Sequence, residues 1–358
     1  MKRLVVILTA LLLVIGLGSP AGTGKAAAAA APAYNEISTF VDGKLIISTA
    51  KSVLVNSSAY VPVKLLDQIP GISMTKTATG ISVSGAKGAT TLNKDNSVLY
   101  NNSNYVAFKT LLKIGAIDGK YASSAYSLFI WSGDEGKTKS NATLTALSKL
   151  PSNFGSVVGK KVYVYGFPGT HWITDVQYDG SSSIEYSMLK DDGTAWTLDQ
   201  DAYDEAMMYT MDYLQYLKKT FNGTVAWVRN ANIEDSPFKN MEKVTIKSVQ
   251  ADNETGDVDV VLRRASGEEI TITLAPVGDQ ASNISSTFLY KNPRSLTNSS
   301  DKIWAAIVAE RVSVGMTYEE VYLSWGDADR TNESLGLAVY GNVYLYFYNG
   351  KLKSISEL

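Results

Sequence analysis

An internal repeat constrains the fold of this chain more than any other feature of its sequence. Sliding the sequence along itself by 45 positions places VLVNSSAYVPVKLL, which begins at Val53, on VLYNNSNYVAFKTLL, which begins at Val98, without a gap. Each copy predicts a strand, a turn rich in Asn and Ser, a short helix, and a closing strand at 81–83 or 128–131. Two copies of one supersecondary unit predict a paired β–α module over about 37–131.

These residues resemble the copper amine oxidase N-terminal-like, or stalk, domain that is common in secreted Gram-positive proteins. The resemblance rests on the DGK turn at 42–44 and on the two strand–turn–helix passes, and it covers about a quarter of the chain. In the second copy Ala107 stands where the first copy has Pro62. The resemblance implies an accessory domain that faces the cell wall, and it implies neither a copper site nor a quinone-forming catalytic domain.

The first 31 residues have the pattern of a secretory signal peptide. Lys2 and Arg3 precede an apolar run over 4–17, and an alanine-rich stretch with several A-x-A frames follows. The apolar run is shorter than the roughly 20 residues that a membrane-spanning helix needs. We therefore expect export and cleavage in the alanine run at 26–31, with the mature chain starting between Ala29 and Tyr34. The expected product is a secreted or extracellular protein associated with the cell wall, without a transmembrane anchor.

Composition narrows the range of partners. Without the leader, 30 of the 33 basic residues remain against 35 acidic ones, and no basic stripe is present, which argues against binding to nucleic acid. The chain has no cysteine, so disulfides, thiolate nucleophiles and cysteine metal sites are excluded. An envelope protein or a wall polymer is the expected partner.

The rest of the chain predicts a mainly-β domain and a small C-terminal module. Residues 132–149 are polar and read as a linker. Over 150–283, short alternating segments separated by Gly, Asp and Ser predict antiparallel strands. Residues 284–358 form the last module. The expected fold class is therefore α+β, with a duplicated β–α module at 34–131, a linker, a mainly-β middle domain with one helix, and a C-terminal domain.

That one helix is predicted over 199–221. The acidic front carries Asp199, Asp201, Asp204 and Glu205, and the back carries Lys218 and Lys219, as the helix dipole favours. The acids lack the glycine and the late bidentate glutamate of an EF-hand loop, so a calcium site is disfavoured. Met207, Met208, Met211 and Leu214 predict core packing.

The C-terminal module has strong local signals. Thr317 to Glu320 predicts a capping box, 318–325 a helix that ends at Gly326, and Asn349-Gly350 a hairpin turn. The segments VSVGMTYEEVYLSWGDADRTN and VYLYFYNGKLKSI resemble the SmpA/OmlA (BamE-like) domain over about 300–358. This resemblance implies two helices on a three-stranded sheet and a protein-binding adaptor. Its outer-membrane assembly role does not carry over, because the stalk module indicates a Gram-positive cell.

Catalytic signals are sparse. The single histidine, His171, has no G-x-S-x-G partner motif, and one histidine without cysteine predicts no tight transition-metal site. Adjacent acids occur at 191–192, 268–269 and 319–320, and each pair lies in a turn or at a helix front. We expect no catalytic residues and no cofactor. A wall-acting hydrolase that uses paired carboxylates of the middle domain remains the alternative.

The terminal hairpin supplies the candidate binding residues. Val343, Leu345 and Phe347 alternate with three tyrosines, so the apolar side is predicted to pack on helices around Ile303, Ile307 and Val321. The opposite face carries Tyr344, Tyr346 and Tyr348, with Tyr340 nearby across the turn.

The tyrosines favour a contact surface, since interfaces are enriched in such side chains. The same face could instead cover the middle domain or remain solvated. The expected function is a secreted, envelope-associated binding or scaffolding protein without catalytic activity, or more specifically an inhibitor or adaptor that acts through its C-terminal module.

Overall fold

The repeat seen in the sequence has a structural counterpart. The computed structural model describes residues 34–358 except 79, 152, 153, 234, 276 and 277, so the predicted signal peptide lies outside the described residues. The elements of the first region are β1 (Asn35–Val41), β2 (Lys44–Leu45), β3 (Ser52–Val55), β4 (Ser58–Pro62), a 3₁₀ turn (Val63–Gln68), β5 (Ile72–Thr77), β6 (Gly80–Gly85), β7 (Gly88–Thr91), β8 (Ser97–Tyr100), β9 (Ser103–Ala107), α1 (Phe108–Ile114), β10 (Asp118–Ala122) and β11 (Ser127–Trp131).

Corresponding residues of the two copies occupy corresponding places. β3 and β8, and β4 and β9, begin 45 positions apart, and the turns between them have positive φ at Asn56 (46°) and Asn101 (46°). The copies join where β4 pairs antiparallel with β9, so that Val61 lies opposite Val106. The sheet order is β10-β11-β1-β3-β4-β9-β8, with β2 on β1, and β5–β7 form a separate sheet. The closing strands differ, because β11 joins the main sheet whereas β6 does not.

The second region contains two further sheets. Its elements are α2 (Asp134–Lys149), a 3₁₀ turn (Gly155–Val157), β12 (Lys161–Val164), β13 (Thr170–Gln177), β14 (Ser183–Lys190), β15 (Ala195–Asp201), β16 (Met208–Thr210), α3 (Met211–Phe221), β17 (Val225–Val228), a 3₁₀ turn (Asn230–Asn232), β18 (Lys243–Ala251), β19 (Val258–Arg264), β20 (Glu269–Thr273), α4 (Gln280–Thr287) and β21 (Phe288–Leu289). One antiparallel sheet has the order β15-β14-β13-β12-β16, and we call it the second sheet. The other has the order β20-β19-β18-β17-β21, and we call it the third sheet.

The linker prediction for 132–149 is wrong, because most of this segment is helix α2. Its buried positions Gly136, Ser140, Thr143 and Leu147 recur at helical spacing, but most of them are small. At Gly136 a Cβ would lie 2.0 Å from the Asp42 carboxylate, so close approach of the first region requires glycine here. The buried face of α2 is therefore marked mainly by small residues at helical spacing and not by large apolar side chains.

The helix predicted over 199–221 is correct only in its second half. Asp199 and Asp201 lie on β15, where Leu198 and Gln200 are buried and the aspartates are exposed, which is the two-residue period of a strand. The helix begins at Met211 after Thr210, whose hydroxyl accepts a hydrogen bond from the Tyr213 amide. The predicted core packing holds for Met208 and Leu214, which are buried, whereas Met211 is exposed at the helix start.

One apolar core joins the first region to the second sheet. It contains Phe40 and Phe129 from the first sheet, Leu147 from α2, and Ile173 and Tyr186 from the second sheet. The rings of Phe40 and Phe129 stack with centroids 4.5 Å apart. Residues 34–358 accordingly form one compact unit, and the predicted boundary at 132–149 does not separate two cores.

The C-terminal region packs two helices on a sheet. Its elements are a 3₁₀ turn (Pro293–Ser295), α5 (Asp301–Val308), α6 (Tyr318–Trp325), β22 (Arg330–Asn332), a 3₁₀ turn (Glu333–Leu335), β23 (Leu337–Tyr340), β24 (Val343–Tyr348) and β25 (Lys351–Glu357). The sheet has four strands rather than three, since the short β22 pairs with β23. The boundary predicted at 283–284 falls inside α4.

The predicted local signals of this region are confirmed. Thr317 and Glu320 form the capping box, and Gly326 ends α6 with a φ of 81°. Asn349 and Gly350 have φ of 50° and 71°, as a type I′ hairpin turn requires.

Buried polar groups connect the C-terminal region to the third sheet. The Arg229 side chain donates to the Tyr322 hydroxyl at 2.6 Å, and its guanidinium lies 4.4 Å from the centre of that ring. The Asn240 side chain donates to the Ile307 and Leu323 carbonyls at 2.9 and 2.8 Å. These contacts tie both helices to the third sheet, so the C-terminal region is held in a defined position.

Candidate functional site

The predicted tyrosine face is present on β24. Leu345 is fully buried in a core with Ile303, Ile307 and Val321, as predicted. Three tyrosines point to the other side of the sheet, and we call Tyr344, Tyr346 and Tyr348 the tyrosine face. Tyr346 is 41% exposed and Tyr348 67%. Tyr344 is half-buried opposite Val339, so Tyr346 and Tyr348 offer most of the accessible surface.

Tyr340 does not belong to this face, so the prediction for this residue is wrong. It pairs with Val343 across the hairpin, and directly opposed residues share one face of a sheet. Its ring packs edge-on against Trp325, with centroids 5.4 Å apart, and its hydroxyl donates to the Gly326 carbonyl at 3.1 Å. Burial raises the pKa of the Tyr340 hydroxyl. Tyr340 therefore stabilises the packing of α6 on the sheet.

A pocket that the sequence did not predict lies at the end of this sheet, where Leu337, one of its lining residues, pairs with Tyr346. It has a volume of about 250 Å³, and we call it the aromatic pocket. Its lining residues are Tyr318, Thr331, Asn332, Glu333, Gly336, Leu337, Phe347 and Gly350. The rings of Tyr318 and Phe347 lie 5.8 Å apart in a tilted arrangement. The pocket thus combines an apolar interior with polar groups from the β22–β23 connection.

Backbone geometry shapes this pocket. Gly336 has a left-handed conformation with a φ of 59°, and a Cβ at this position would lie 2.2 Å from the Phe347 carbonyl oxygen. The Phe347 amide donates to the Gly336 carbonyl. A glycine in a short loop between two strands was the sequence signal that could have located the pocket. Leu335 and Tyr348, adjacent in sequence to lining residues, are both exposed.

Comparison with protein-family models, curated proteins and solved structures finds no match. The function must therefore be argued from the chemistry of the chain itself.

The adjacent acids that could have formed a hydrolytic pair are engaged in structural contacts. They are Asp191, paired with Lys161; Asp192, which accepts from the Thr194 amide; Glu268, paired with Arg264; Glu269, paired with Lys247 and Arg263; and Glu320, in the capping box. Glu319 lies exposed in the first turn of α6. Five of these six acids therefore make a structural contact, and Glu319 is the exception.

The described residues contain neither a metal-binding cluster nor a membrane-spanning helix. Within this part of the chain, no three or more His, Asp or Glu side chains are grouped so that they could hold a metal ion. No helix in the same part of the chain combines the length and apolarity needed to cross a bilayer.

His171 is fully buried on β13. Its Nδ1 accepts a hydrogen bond from the Trp196 indole at 3.2 Å, and the two rings meet edge to face. Burial, together with the nearby Lys190, lowers the pKa of the imidazole. The residue thus supports the second sheet as a neutral side chain.

We expect the free energy of unfolding to fall as the pH is lowered from 7.5 to 5.5. In the unfolded chain the imidazole takes up a proton below about 6.5. The folded chain resists this protonation because its imidazole pKa is lowered. The stability contributed by neutral His171 is therefore lost at acid pH, by at most about 1.4 kcal/mol per pH unit.

Urea titrations at several pH values measure this slope. Since the chain has one histidine, the His171→Gln variant should show a clearly flatter profile over this range. An identical slope in both proteins would contradict the assignment.

Proposed function

We propose that this protein is a secreted, envelope-associated binding protein that holds a protein partner through the tyrosine face and the aromatic pocket of its C-terminal region. The observation that carries the proposal is an apolar pocket with a polar rim at the end of the same sheet that exposes Tyr346 and Tyr348. Interfaces concentrate their binding energy in aromatic anchors that fill such pockets, surrounded by polar groups.

The partner's chemistry follows from the pocket. A volume of about 250 Å³ between Tyr318 and Phe347 accommodates one large apolar side chain rather than a whole cofactor or drug-sized ligand. The hydroxyls of Tyr346 and Tyr348 and the side chains of Asn332 and Glu333 can bond to polar groups around that anchor. The expected ligand is therefore a segment of another protein that presents an aromatic or aliphatic residue.

The remaining features support an adaptor rather than an enzyme. The resemblance to BamE-like domains implies protein binding, and the resemblance to stalk domains implies a place at the cell wall. Five of the six acids considered for hydrolysis are engaged in ion pairs, a turn or a helix cap. Buried contacts from Arg229 and Asn240 hold the C-terminal region in place, which presents the surface in a preorganised form.

Replacing Tyr346 and Tyr348 by serine should weaken partner binding at least tenfold, because each aromatic hot spot contributes about 2 kcal/mol or more. The measurement is calorimetric titration of the mature protein with the partner identified by capture from the producing cell's envelope. Tyr344 is left unchanged because it covers Val339.

A matched double variant controls for the general effect of losing surface tyrosines. Tyr203 and Tyr216 are 82% and 53% exposed and lie in the second region. The Tyr203→Ser/Tyr216→Ser protein should bind like the wild type. Equal affinity of the Tyr346→Ser/Tyr348→Ser variant and the wild type would refute the proposed surface.

A further inference from the structure

A second surface of the molecule has the chemistry of a carbohydrate site. A groove of about 820 Å³ runs between α2 and the strands β13 and β14, and we call it the polar groove. Its lining residues are Thr138, Asn141, Ala142, Thr143, Thr145, Ala146, Asp175, Val176, Gln177, Tyr178, Asp179, Ser181, Ser183 and Glu185. Hydroxyls, amides and carboxylates dominate this lining, and it includes no basic side chain.

Several of these polar groups are available to a ligand. Gln177 and Glu185 lie directly opposite each other on β13 and β14, so both project from one face of the sheet. Asn141 faces them from α2, and none of these three side chains bonds to another described residue. The groove thus presents unengaged donors and acceptors on two facing walls.

The floor of the groove offers apolar contact as well. Exposed Ala142 and the half-buried ring of Tyr178 supply this contact, whereas Ala146 and Val176 also line the groove but are almost fully buried. Sugars combine hydroxyls, which bond to amides and carboxylates, with apolar C–H faces that pack on aromatic rings. This pairing of a polar wall with a small apolar floor distinguishes the polar groove from the aromatic pocket.

The polar groove adjoins a second groove. Asp175 also lines a second groove of about 580 Å³, whose other lining residues include Lys44, Ser187 and Trp196. At the junction, the Asp175 carboxylate accepts a hydrogen bond from the Thr143 hydroxyl at 2.5 Å, which fixes its position. Two grooves that meet at one residue suit an extended chain of several units better than a single small molecule.

We infer that the polar groove binds an uncharged oligosaccharide. Three carboxylates line it, at Asp175, Asp179 and Glu185. They outnumber the two nearby lysines, Lys149, whose ammonium donates to the Asp179 carbonyl, and Lys44 in the second groove, so a polyanionic polymer is disfavoured. A peptide is the less suitable ligand, because its side chains need apolar anchor pockets of the kind found at the C-terminal region instead. The inference stands apart from the proposed protein-binding function, since it concerns other residues and another sheet.

The test uses the mature protein with N-acetylglucosamine tetramer and cellotetraose as neutral probes, and poly(glycerol phosphate) as the anionic one. Calorimetric titration should detect binding of at least one neutral probe and none of the anionic polymer. Replacing Gln177 and Glu185 by alanine should weaken that binding at least tenfold. The Tyr346→Ser/Tyr348→Ser variant should bind the sugar normally, which separates this site from the proposed protein interface.

A matched control substitutes the same residue types elsewhere. Gln250 is exposed on β18 and Glu254 in the β18–β19 turn, and the Gln250→Ala/Glu254→Ala protein should bind sugar like the wild type. Unchanged thermal unfolding of both double variants shows that folding is intact. The inference is overturned if neither neutral probe binds, if the groove variant binds as well as the control, or if a peptide proves to be the groove's ligand.

Discussion

Replacing Phe129 by alanine is expected to destabilise the first and second sheets together, by about 3–5 kcal/mol. Phe129 is fully buried, and it belongs to the core that also contains Ile173 and Tyr186 of the second sheet. Loss of its ring removes the stack on Phe40 and leaves a cavity between two regions that the sequence had placed in separate domains. Urea unfolding monitored by tryptophan fluorescence measures the total effect.

Hydrogen exchange with mass spectrometry locates the effect. Faster exchange should occur in β11 and also in β13 and β14, because one core serves both sheets. Leu99→Ala is the control, since Leu99 is 62% exposed in the same region and its loss should change stability by no more than about 0.5 kcal/mol. Exchange in β13 and β14 that stays at the wild-type rate would show that the two regions fold independently.

Replacing Asn240 by alanine should have the second largest effect, a loss of about 2–4 kcal/mol. Asn240 is buried, and its amide donates to carbonyls of both C-terminal helices, at Ile307 and Leu323. Removing the donor breaks two buried hydrogen bonds, and each buried polar group left without a partner costs about 1–3 kcal/mol. The C-terminal region should consequently loosen from the third sheet.

The readout is hydrogen exchange of α5 and α6, compared with that of the second sheet. We expect faster exchange in the helices of the Asn240→Ala protein while β13 and β14 keep their wild-type protection. Asn253→Ala is a suitable control, because Asn253 is exposed in the β18–β19 turn. If α5 and α6 are equally protected in the variant and the wild type, Asn240 does not fasten the C-terminal region.

The Asn240→Ala substitution also bears on the proposed binding surface. The tyrosine face belongs to a region held by buried contacts from Asn240 and Arg229. Ordering before binding reduces the entropic cost of association. A loosened Asn240→Ala protein should therefore bind its partner more weakly, although it retains Tyr346 and Tyr348.

Local signals in the sequence were sufficient for the features that depend on neighbouring residues. The repeat predicted the paired turns at Asn56 and Asn101, since asparagine tolerates the left-handed conformation that such turns require. The capping box at Thr317 and the turn at Asn349-Gly350 were located correctly for the same reason. The period-two pattern of β24 also predicted which side chains face the core.

Tertiary structure decided the features that depend on distant residues. Helix α2 was missed because its small buried residues have meaning only against the turn at Asp42. Tyr340 was misplaced because its face depends on pairing with Val343 across the hairpin. Both candidate sites combine segments far apart in sequence, with Asn141 facing Glu185 and Tyr318 beside Phe347. Sequence spacing specifies hydrogen-bonded turns and helix caps, whereas only packing determines which separate surfaces meet to form a groove.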